Sequence, residues 1–248
     1  MSMPPNLLQA LERGQALKVI SGLTNFNHDR VAMVARAAGR GGATFIDIAA
    51  DAGLVRLARQ STHLPVCVSA VEPERFIPCV EAGADLIEIG NFDAFYAQGR
   101  RFEAAEVLEL THRTRALLPK IPLSVTIPHI LELSEQTRLA EELVAAGADL
   151  IQTEGGTSAQ PQGAGSLGLI EKAVPTLAAA WEISRAVEVP VLCASGLSYV
   201  TVPMAIAAGA SGVGVGSAIN RLDTEIEMTA AVQGLVEALQ SELIPSNA

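Results

Sequence analysis

The chain has 248 residues, 49% of them hydrophobic and 18% charged, and its mean hydropathy of +0.32 excludes an intrinsically disordered protein. A formal net charge of −10 and a pI of about 4.9, without a run of lysine or arginine, exclude binding to nucleic acid through its phosphates, because that binding needs clustered cations. The first 18 residues contain no long apolar segment and include Glu12, so we expect neither a signal peptide nor a membrane span.

The cysteines indicate a reducing compartment. Cys67, Cys79 and Cys193 show neither a C-x-x-C pair nor the spacing of a zinc finger, and their number is odd. We therefore expect a soluble, cytoplasmic protein whose partners are small solutes rather than nucleic acid or membranes.

Short apolar runs of strand length alternate with longer segments of helical period along the whole chain. In chain order the runs are LKVISG, TFIDIA, PVCVSA, LIEIGN, LSVTIP, LIQTEG, VLCASG and GVGVGS. A helix precedes the first run in NLLQALERGQ, and the last outer helix is predicted over residues 223–243. This alternation predicts an α/β fold with parallel strands.

The residues that end helices and open strands recur with a period of two strands. A Gly-Ala pair precedes strands two, four, six and eight, beginning at Gly42, Gly83, Gly147 and Gly209, and a proline precedes strands three, five and seven. Glycine suits a helix end, and proline at a strand entry removes no ladder donor. Eight such units predict a (β/α)8 TIM barrel with an N-terminal helix at its bottom, as one domain over residues 1–248. A doubly wound open sheet is the rival, but no G-x-G-x-x-G follows the first strand.

Several strands place a polar side chain on the face that points into the barrel. The outer face of a parallel barrel is covered by helices and must be apolar, so Lys18, Asp47 and Glu88 are predicted to point inward. Glu154 follows strand six and His129 follows strand five, at the end where barrel active sites lie. The candidate catalytic residues are therefore Lys18, Asp47, Glu88, His129 and Glu154.

The roles of these residues stay open in the sequence. A lysine among carboxylates keeps its proton, as half of a buried ion pair or as an ammonium that contacts substrate, whereas strong desolvation gives the neutral amine of a Schiff base. His129 is either a general acid or base or a loop histidine bonded to backbone. Asp, Glu and His on neighbouring strand ends also suit a divalent metal, but without an H-x-H or H-x-x-x-H pair no metal ligand is predicted. No cofactor is assigned.

The last two strands contain the strongest motif, VLCASGLSYVTVPMAIAAGASGVGVGSAINRL. One strand ends in Ser-Gly and the next in Gly-Ser before a helix, so the two ends meet at the barrel mouth. Glycine amides approach a phosphate closely, and barrels hold phosphate after strands seven and eight. The predicted phosphate-binding residues are Gly155, Gly156, Ser195, Gly196, Gly216 and Ser217. The alternative is that these glycines only permit tight turns.

Two connections are longer than a barrel requires, residues 91–106 and residues 154–175. The second is rich in glycine, which is typical of a substrate loop or lid, with a passive insertion as the alternative. The first contains aromatic residues and arginines of the kind enriched at interfaces. Two functions follow: an enzyme acting on a small phosphorylated carbonyl compound, of isomerase, epimerase, lyase or synthase type, or a non-catalytic metabolite-sensing or regulatory barrel. Self-association as a homo-oligomer is left open.

Five stretches in order resemble the hypothetical chloroplast reading frame twenty-three family of algal plastids and cyanobacteria. They are LKVISGLTNF, FIDIAAD, LIEIGNFD, VTIPHIL and LIQTEGG, and the resemblance runs from about Leu17 to Arg221. It implies an aldolase-like barrel in a cyanobacterial cytoplasm or plastid stroma, and it carries over no catalytic residue. GVGVGSAINR is also similar to the last strand of sugar-phosphate epimerases, a likeness confined to the phosphate end.

Overall fold

Strands and helices alternate along the chain in the order that the sequence predicts. The computed structural model describes residues 3–156 and 159–241. The strands are β1 Ala16–Gly22, β2 Phe45–Ala49, β3 Val66–Ala70, β4 Leu86–Ile89, β5 Leu123–Thr126, β6 Leu150–Gln152, β7 Val191–Ala194 and β8 Gly212–Val215. The helices are α1 Pro5–Glu12, α2 His28–Gly41, α3 Ala52–Ser61, α4 Phe76–Glu81, α5 Asp93–Tyr96, α6 Ala104–Leu117, α7 Leu133–Ala145, α8 Gly165–Ala186, α9 Val202–Ala207, α10 Ser217–Asn220 and α11 Glu225–Gln240. Positions 242 and 243 of the predicted last helix lie outside the described residues.

The eight strands form one closed parallel barrel. Each strand pairs with its neighbours in chain order, and β1 closes the ring against β8. The predicted (β/α)8 barrel is therefore confirmed, and the rival open sheet is wrong, because β1 has a paired strand on both sides. Among the described helices, none combines the length and the apolar character that crossing a membrane requires.

The residues before the strands adopt the conformations that their types predict. The four glycines of the Gly-Ala pairs have φ of 87°, 105°, 102° and 101° at Gly42, Gly83, Gly147 and Gly209. A side chain is strained at such angles, so glycine is required to end these helices. The carbonyl groups of the strand-entry prolines accept ladder hydrogen bonds from the preceding strands, at Pro65, Pro122 and Pro190.

The bottom of the barrel is filled by apolar side chains. Leu7 and Leu11 of α1 pack against barrel residues that include Phe45 and Leu86. Cys67 belongs to this cluster, and the three cysteines are all buried with free thiols. The N-terminal helix thus closes the bottom as predicted.

The connection after β4 folds back onto the barrel. The rings of Phe92 and Phe102 are buried with centroids 4.4 Å apart, and Phe95 packs on Phe102 at 5.5 Å. Tyr96 lies against His129, with ring centroids 5.0 Å apart. Contacts within the chain therefore account for the aromatic residues that suggested an interface.

Candidate active site

A cluster of charged side chains fills the middle of the barrel. Lys18 Nζ lies 2.6 Å from Glu88 Oε2 and donates to Gln152 Oε1 at 3.0 Å. Asp47 Oδ1 accepts a hydrogen bond from the Ser69 hydroxyl at 2.5 Å. Lys18, Asp47 and Glu88 are each 0% exposed. We call these three residues the inner cluster.

Burial and charge act in opposite directions on Lys18. Burial by itself lowers its pKa, but the charges of Asp47 and Glu88 outweigh burial and raise the pKa above the ordinary value. Burial raises the pKa of Asp47 to about 6, although Lys18 opposes that shift. Lys18 is therefore a protonated ion-pair partner, which is the first of the three roles that the sequence leaves open.

Asn91 and Gln152 separate the inner cluster from the barrel mouth. Asn91 Nδ2 donates to Glu88 Oε1 at 3.0 Å and to Asp47 Oδ2 at 3.4 Å. Gln152 Nε2 donates to Glu88 Oε1 at 3.0 Å. Both amides line the cavity above them, whereas none of the described lining residues belongs to the inner cluster.

A tight turn at the end of β4 brings Asn91 over Glu88. Gly90 has a φ of 143° and Asn91 a φ of 62°, so the strand ends in two residues with positive φ. A Cβ on Gly90 would lie 2.2 Å from Thr126 Oγ1, which leaves no room for another residue. Asparagine tolerates the left-handed region better than most residues, and here its side chain forms the cavity floor.

A cavity of about 380 Å³ opens at the carboxyl ends of the strands. This is the end at which barrel enzymes place their active sites, and the volume suits a small metabolite. Asp93 and Glu154 contribute carboxylates to its lining. Lys172 of α8 is the one cation among the described lining residues.

Glu154 is the centre of a second cluster, at the edge of this cavity. Its Oε1 accepts a hydrogen bond from the Tyr96 hydroxyl at 2.7 Å and lies 3.2 Å from His129 Nδ1, and its Oε2 accepts the backbone N–H of Asp93 at 3.2 Å. Asp93 Oδ1 lies 3.4 Å from His129 Nδ1, and Asp93 Oδ2 accepts from the Ser195 hydroxyl at 2.7 Å. We call Asp93, Tyr96, His129, Glu154 and Ser195 the mouth cluster.

The mouth cluster shifts the proton affinity of its members. Burial raises the pKa of Glu154 and the charge of Asp93 adds to the effect, while His129 and Tyr96 oppose it. Burial by itself lowers the pKa of His129, but the hydrogen bond and charge of Glu154 outweigh it, so the pKa is raised. Burial and the charge of Glu154 raise the pKa of Tyr96, which keeps the phenol protonated as a donor. A carboxyl with a raised pKa in a cavity is suited to accept and return a proton.

His129 lies behind Glu154 and not at the cavity surface. Its side chain is 8% exposed, and it is absent from the described residues that line the cavity, whereas Asp93 and Glu154 are present. Its backbone N–H also donates to Glu154 Oε1 at 3.3 Å. The structure therefore places His129 against Glu154 and outside the described lining of the cavity, and its role as a general acid or base stays a prediction.

The mouth cluster also has the composition of a metal site. Asp93, His129 and Glu154 each offer one ligand atom, and these atoms lie within 4.8 Å of one another. Two carboxylates and an imidazole suit a divalent cation. The three residues come from the separate connections after β4, β5 and β6. The sequence therefore shows no pair of metal ligands at short spacing.

The predicted phosphate-binding residues lie at the cavity. Five of the six line it: Gly156, Ser195, Gly196, Gly216 and Ser217. Gly155 is the exception, since a Cβ there would lie 2.9 Å from Pro175 Cβ, so Gly155 serves the close packing of its turn against α8. The backbone N–H of Gly156 donates to Ser195 Oγ at 3.0 Å, so this amide already has a partner within the chain.

Ser195 joins the phosphate motif to the mouth cluster. It adopts a φ of 73°, in the left-handed region that favours glycine. Its hydroxyl donates to Asp93 and accepts from the N–H of Gly156, so two hydrogen bonds hold the side chain in this conformation. The connections after β4, β6 and β7 are thereby fixed to one another at the mouth.

Sequence reasoning missed three residues that line the cavity, Asn91, Asp93 and Lys172, and also Tyr96, which donates a hydrogen bond to Glu154. Asn91, Asp93 and Tyr96 belong to the irregular connection after β4, where the strand period no longer applies, and Lys172 lies on a helix. The available signals were the polar residues directly after LIEIG and a lysine near the end of the glycine-rich connection.

The predicted lid over 154–175 is described apart from residues 157 and 158. Its second half forms the start of α8, while Ala159 and Pro161 line the cavity. Its role as a lid stays a prediction.

The fold defines a (β/α)8 barrel, with a cavity at the carboxyl ends of its strands. The barrel is similar to thiamine phosphate pyrophosphorylase from Pyrococcus furiosus, with a TM-score of 0.62 and 18% identity over 93% of this chain and 100% of that chain. It is also similar to (S)-3-O-geranylgeranylglyceryl phosphate synthase from Thermoplasma acidophilum in complex with sn-glycerol-1-phosphate, with a TM-score of 0.59 and 15% identity over 96% and 98% of the two chains. Identities this low establish the shared fold alone.

The chain belongs to the ycf23 family. It is 47% identical over 219 residues to the uncharacterized protein ycf23 of Cyanophora paradoxa, covering 88% of this chain and 90% of the relative. A family model described as protein of unknown function (DUF561) matches residues 1–244. The resemblance to the hypothetical chloroplast reading frame twenty-three family is thus confirmed.

Proposed function

We propose that this protein is an enzyme that binds a small phosphorylated carbonyl compound in the mouth cavity and moves a proton on it. The reaction is of isomerase, epimerase, lyase or synthase type. The observation that supports this proposal is that Glu154, with its raised pKa, lines the same cavity as the glycine-rich turns and Lys172. A cavity of about 380 Å³ suits a substrate of this size.

The turns after β7 and β8 are the phosphate-binding end in this proposal. Backbone amides of Gly196, Gly216 and Ser217 supply donors, and glycine lets them approach the oxygens closely. Lys172 supplies positive charge in a cavity that otherwise contains the carboxylates of Asp93 and Glu154. Without this lysine a phosphate dianion would meet two negative groups, so Lys172 is the residue that makes anion binding favourable.

Glu154 is the proposed proton-transfer group. Its carboxylate removes the proton from the carbon next to the substrate carbonyl. The electron pair of that C–H bond becomes the C=C bond of an enolate, and the π pair of the carbonyl moves to its oxygen. Return of a proton, after exchange with solvent, to another carbon or to the other face gives an isomer or epimer. Tyr96 and His129 bond Glu154 Oε1 at 2.7 and 3.2 Å, so they fix the carboxylate and set its proton affinity.

The inner cluster has a supporting role in this proposal. Lys18, Asp47 and Glu88 are buried beneath Asn91 and Gln152, and Glu88 accepts from both of these amides. They fix the floor on which a substrate rests and do not exchange protons with it. We therefore expect no borohydride-trapped imine at Lys18 with any carbonyl ligand.

The proposed partner is a small phosphorylated metabolite, in a cyanobacterial cytoplasm or plastid stroma. The resemblance of the sequence and the formal net charge of −10, which disfavours nucleic acid, support this assignment.

A ligand screen tests the binding step. Thermal unfolding is measured with inorganic phosphate, with aldose and ketose phosphates, and with the same sugars without phosphate as controls. We expect phosphorylated compounds to raise the melting temperature and the unphosphorylated sugars to leave it unchanged. A melting temperature that changes with neither phosphate nor any phosphorylated compound would overturn the proposal.

Proton exchange tests the chemistry. A compound that binds is incubated with the protein in deuterium oxide, and loss of its C–H signal next to the carbonyl is followed by NMR. Exchange that persists in a chelator supports Glu154 as a metal-free base, whereas exchange that needs an added divalent cation assigns the mouth cluster to that cation. Binding without exchange would favour the metabolite-sensing barrel instead.

A further inference from the structure

Helix α8 carries large apolar side chains on the face turned away from the barrel as well as apolar residues on the face that packs on it. The inner face is buried at Ala173, Thr176, Ala180 and Ile183. The outer face bears three large apolar side chains, Leu167, Val174 and Trp181, which are 58%, 53% and 49% exposed. Their spacing of seven residues places them in one line along the helix.

The neighbouring helix α7 shows the usual surface of an outer barrel helix. Its exposed face bears Arg138, which lies 3.8 Å from Glu135 and 4.0 Å from Glu142. A helix that is apolar on both faces is expected to be covered on both, and exposed apolar patches mark interaction sites. We therefore expect another protein surface to pack on the outer face of α8.

We propose that α8 pairs with the α8 helix of a second copy of this chain, antiparallel, about a two-fold axis at Ala178. Residues 171, 174, 178, 181 and 185 are separated by steps of three and four, so they form one stripe on the outer side of the helix. A two-fold axis at Ala178 brings together positions equally distant from it. Glu171 then faces Arg185 of the second copy, because both lie seven residues from the axis. Val174 lies four residues before the axis and Trp181 three residues after it, so their side chains meet with an offset of one residue.

This stripe is complementary to itself in size and in charge. The large Trp181 ring meets the smaller Val174, and the methyl group of Ala178 lets the helix axes approach at the centre. Glu171 and Arg185 have opposite charges, so the pairing forms two ion pairs in a chain whose net charge of −10 otherwise repels its copy. The same patch serves both copies, as two-fold symmetry demands.

Both ends of the stripe are held in place before any pairing. The guanidinium carbon of Arg185 lies 3.3 Å from the centre of the Trp181 ring, and its Nη1 donates to the Trp181 carbonyl at 2.6 Å. Glu171 Oε2 accepts the backbone N–H groups of Gln162 and Gly163 at 2.7 and 2.8 Å. Side chains already ordered lose less entropy when they enter an interface.

Sedimentation of the full chain over a dilution series tests the pairing. We expect a dimer, and we expect Trp181→Glu to raise its dissociation constant by about 30-fold or more, the effect of removing an aromatic anchor. Ile226→Glu is the matched control, because it places the same charge on an apolar residue of α11 that is 83% exposed. A wild-type chain that stays monomeric, or a dimer insensitive to Trp181→Glu, would overturn the proposal.

A charge exchange tests the antiparallel register. Glu171→Arg alone places like charges opposite each other and should weaken the dimer, and adding Arg185→Glu should restore it. The loop contact of Glu171 cannot produce that rescue, because the second substitution does not repair it. Circular dichroism checks that each variant is folded. If Trp181→Glu does not fold, the Glu171→Arg and Arg185→Glu variants test the pairing instead. Absence of rescue would overturn the axis at Ala178.

Discussion

The inner cluster and the mouth cluster contain the same kinds of side chain in different surroundings. Lys18, Asp47 and Glu88 are wholly buried beneath the amides of Asn91 and Gln152. Asp93 and Glu154 line a cavity of about 380 Å³ instead. Access to the cavity, and not residue type, therefore separates groups that support the site from groups that can meet a ligand.

The two clusters also differ in charge balance. In the inner cluster Lys18 lies within 2.6 Å of Glu88 and is held in its protonated form by two carboxylates. In the mouth cluster the possible cation is an imidazole, whose charge depends on pH, and the pKa values of both Glu154 and His129 are raised. A fixed ion pair suits structure, and an adjustable one suits proton transfer.

The largest expected effect is on proton exchange at the mouth. Glu154→Gln keeps the size of the side chain and removes its basicity, so deuterium exchange of a bound phosphorylated carbonyl compound should slow by about 100- to 10,000-fold. The free energy of unfolding should stay close to that of the wild type. Exchange at the wild-type rate in this variant would transfer the role to another residue of the mouth cluster.

The next largest effect is on stability, from the inner cluster. Lys18→Met leaves two buried carboxylates without their cation, and the free energy of unfolding in urea should fall by about 3–5 kcal/mol. The double variant Lys18→Met, Glu88→Gln removes one of the charges and should recover part of the loss. A Lys18→Met protein of normal stability that binds no ligand would place Lys18 in the site and break the distinction between the clusters.

A smaller effect is expected on phosphate affinity. Lys172→Met removes the cation that lines the cavity. The dissociation constant for inorganic phosphate, measured by calorimetry, should rise by about tenfold, which is the effect of losing one charged hydrogen bond. Lys120→Met is the matched control, because Lys120 precedes β5 at the opposite end of the barrel. An equal loss in both variants would point to the overall charge of the chain and not to the cavity.

The smallest effect is a pH dependence of stability from the inner cluster. The pKa of Asp47 is raised in the folded protein from an ordinary 3.8 to about 6, so the folded state binds this proton more tightly than the unfolded chain does. The resulting stabilisation is complete below about 3.8 and is lost as the pH rises through about 6. Urea unfolding across this window should show a falling free energy in the wild type.

Asp47→Asn should flatten that slope. Some slope should remain, since the pKa of Glu154 is shifted in the same direction. Glu81→Gln, at an exposed carboxylate, should reproduce the wild-type slope. A variant lacking Asp47 that keeps the full slope would show that another group is responsible.

Much of the barrel follows from local patterns. Gly-Ala pairs and strand-entry prolines meet backbone requirements at each helix end and strand start. Each βα unit can therefore be predicted from its own short stretch of sequence. The inward placement of Lys18, Asp47 and Glu88 also followed, because strand residues alternate faces. Gly155 shows the limit of such reasoning: it is one of the predicted phosphate-binding residues, but it is absent from the described cavity lining and packs closely against Pro175.

The sequence by itself determined an eight-unit barrel, a polar interior and a glycine-rich end after β7 and β8, since each depends on periods of a few residues. The tertiary structure alone decided which polar groups face a ligand. The turn at Gly90 and Asn91 closes the floor over Glu88, and α5 carries Asp93 and Tyr96 to Glu154. The first contact depends on an irregular turn, and the contacts of α5 with Glu154 join residues 61 and 58 positions apart, so no strand or helix period predicts either.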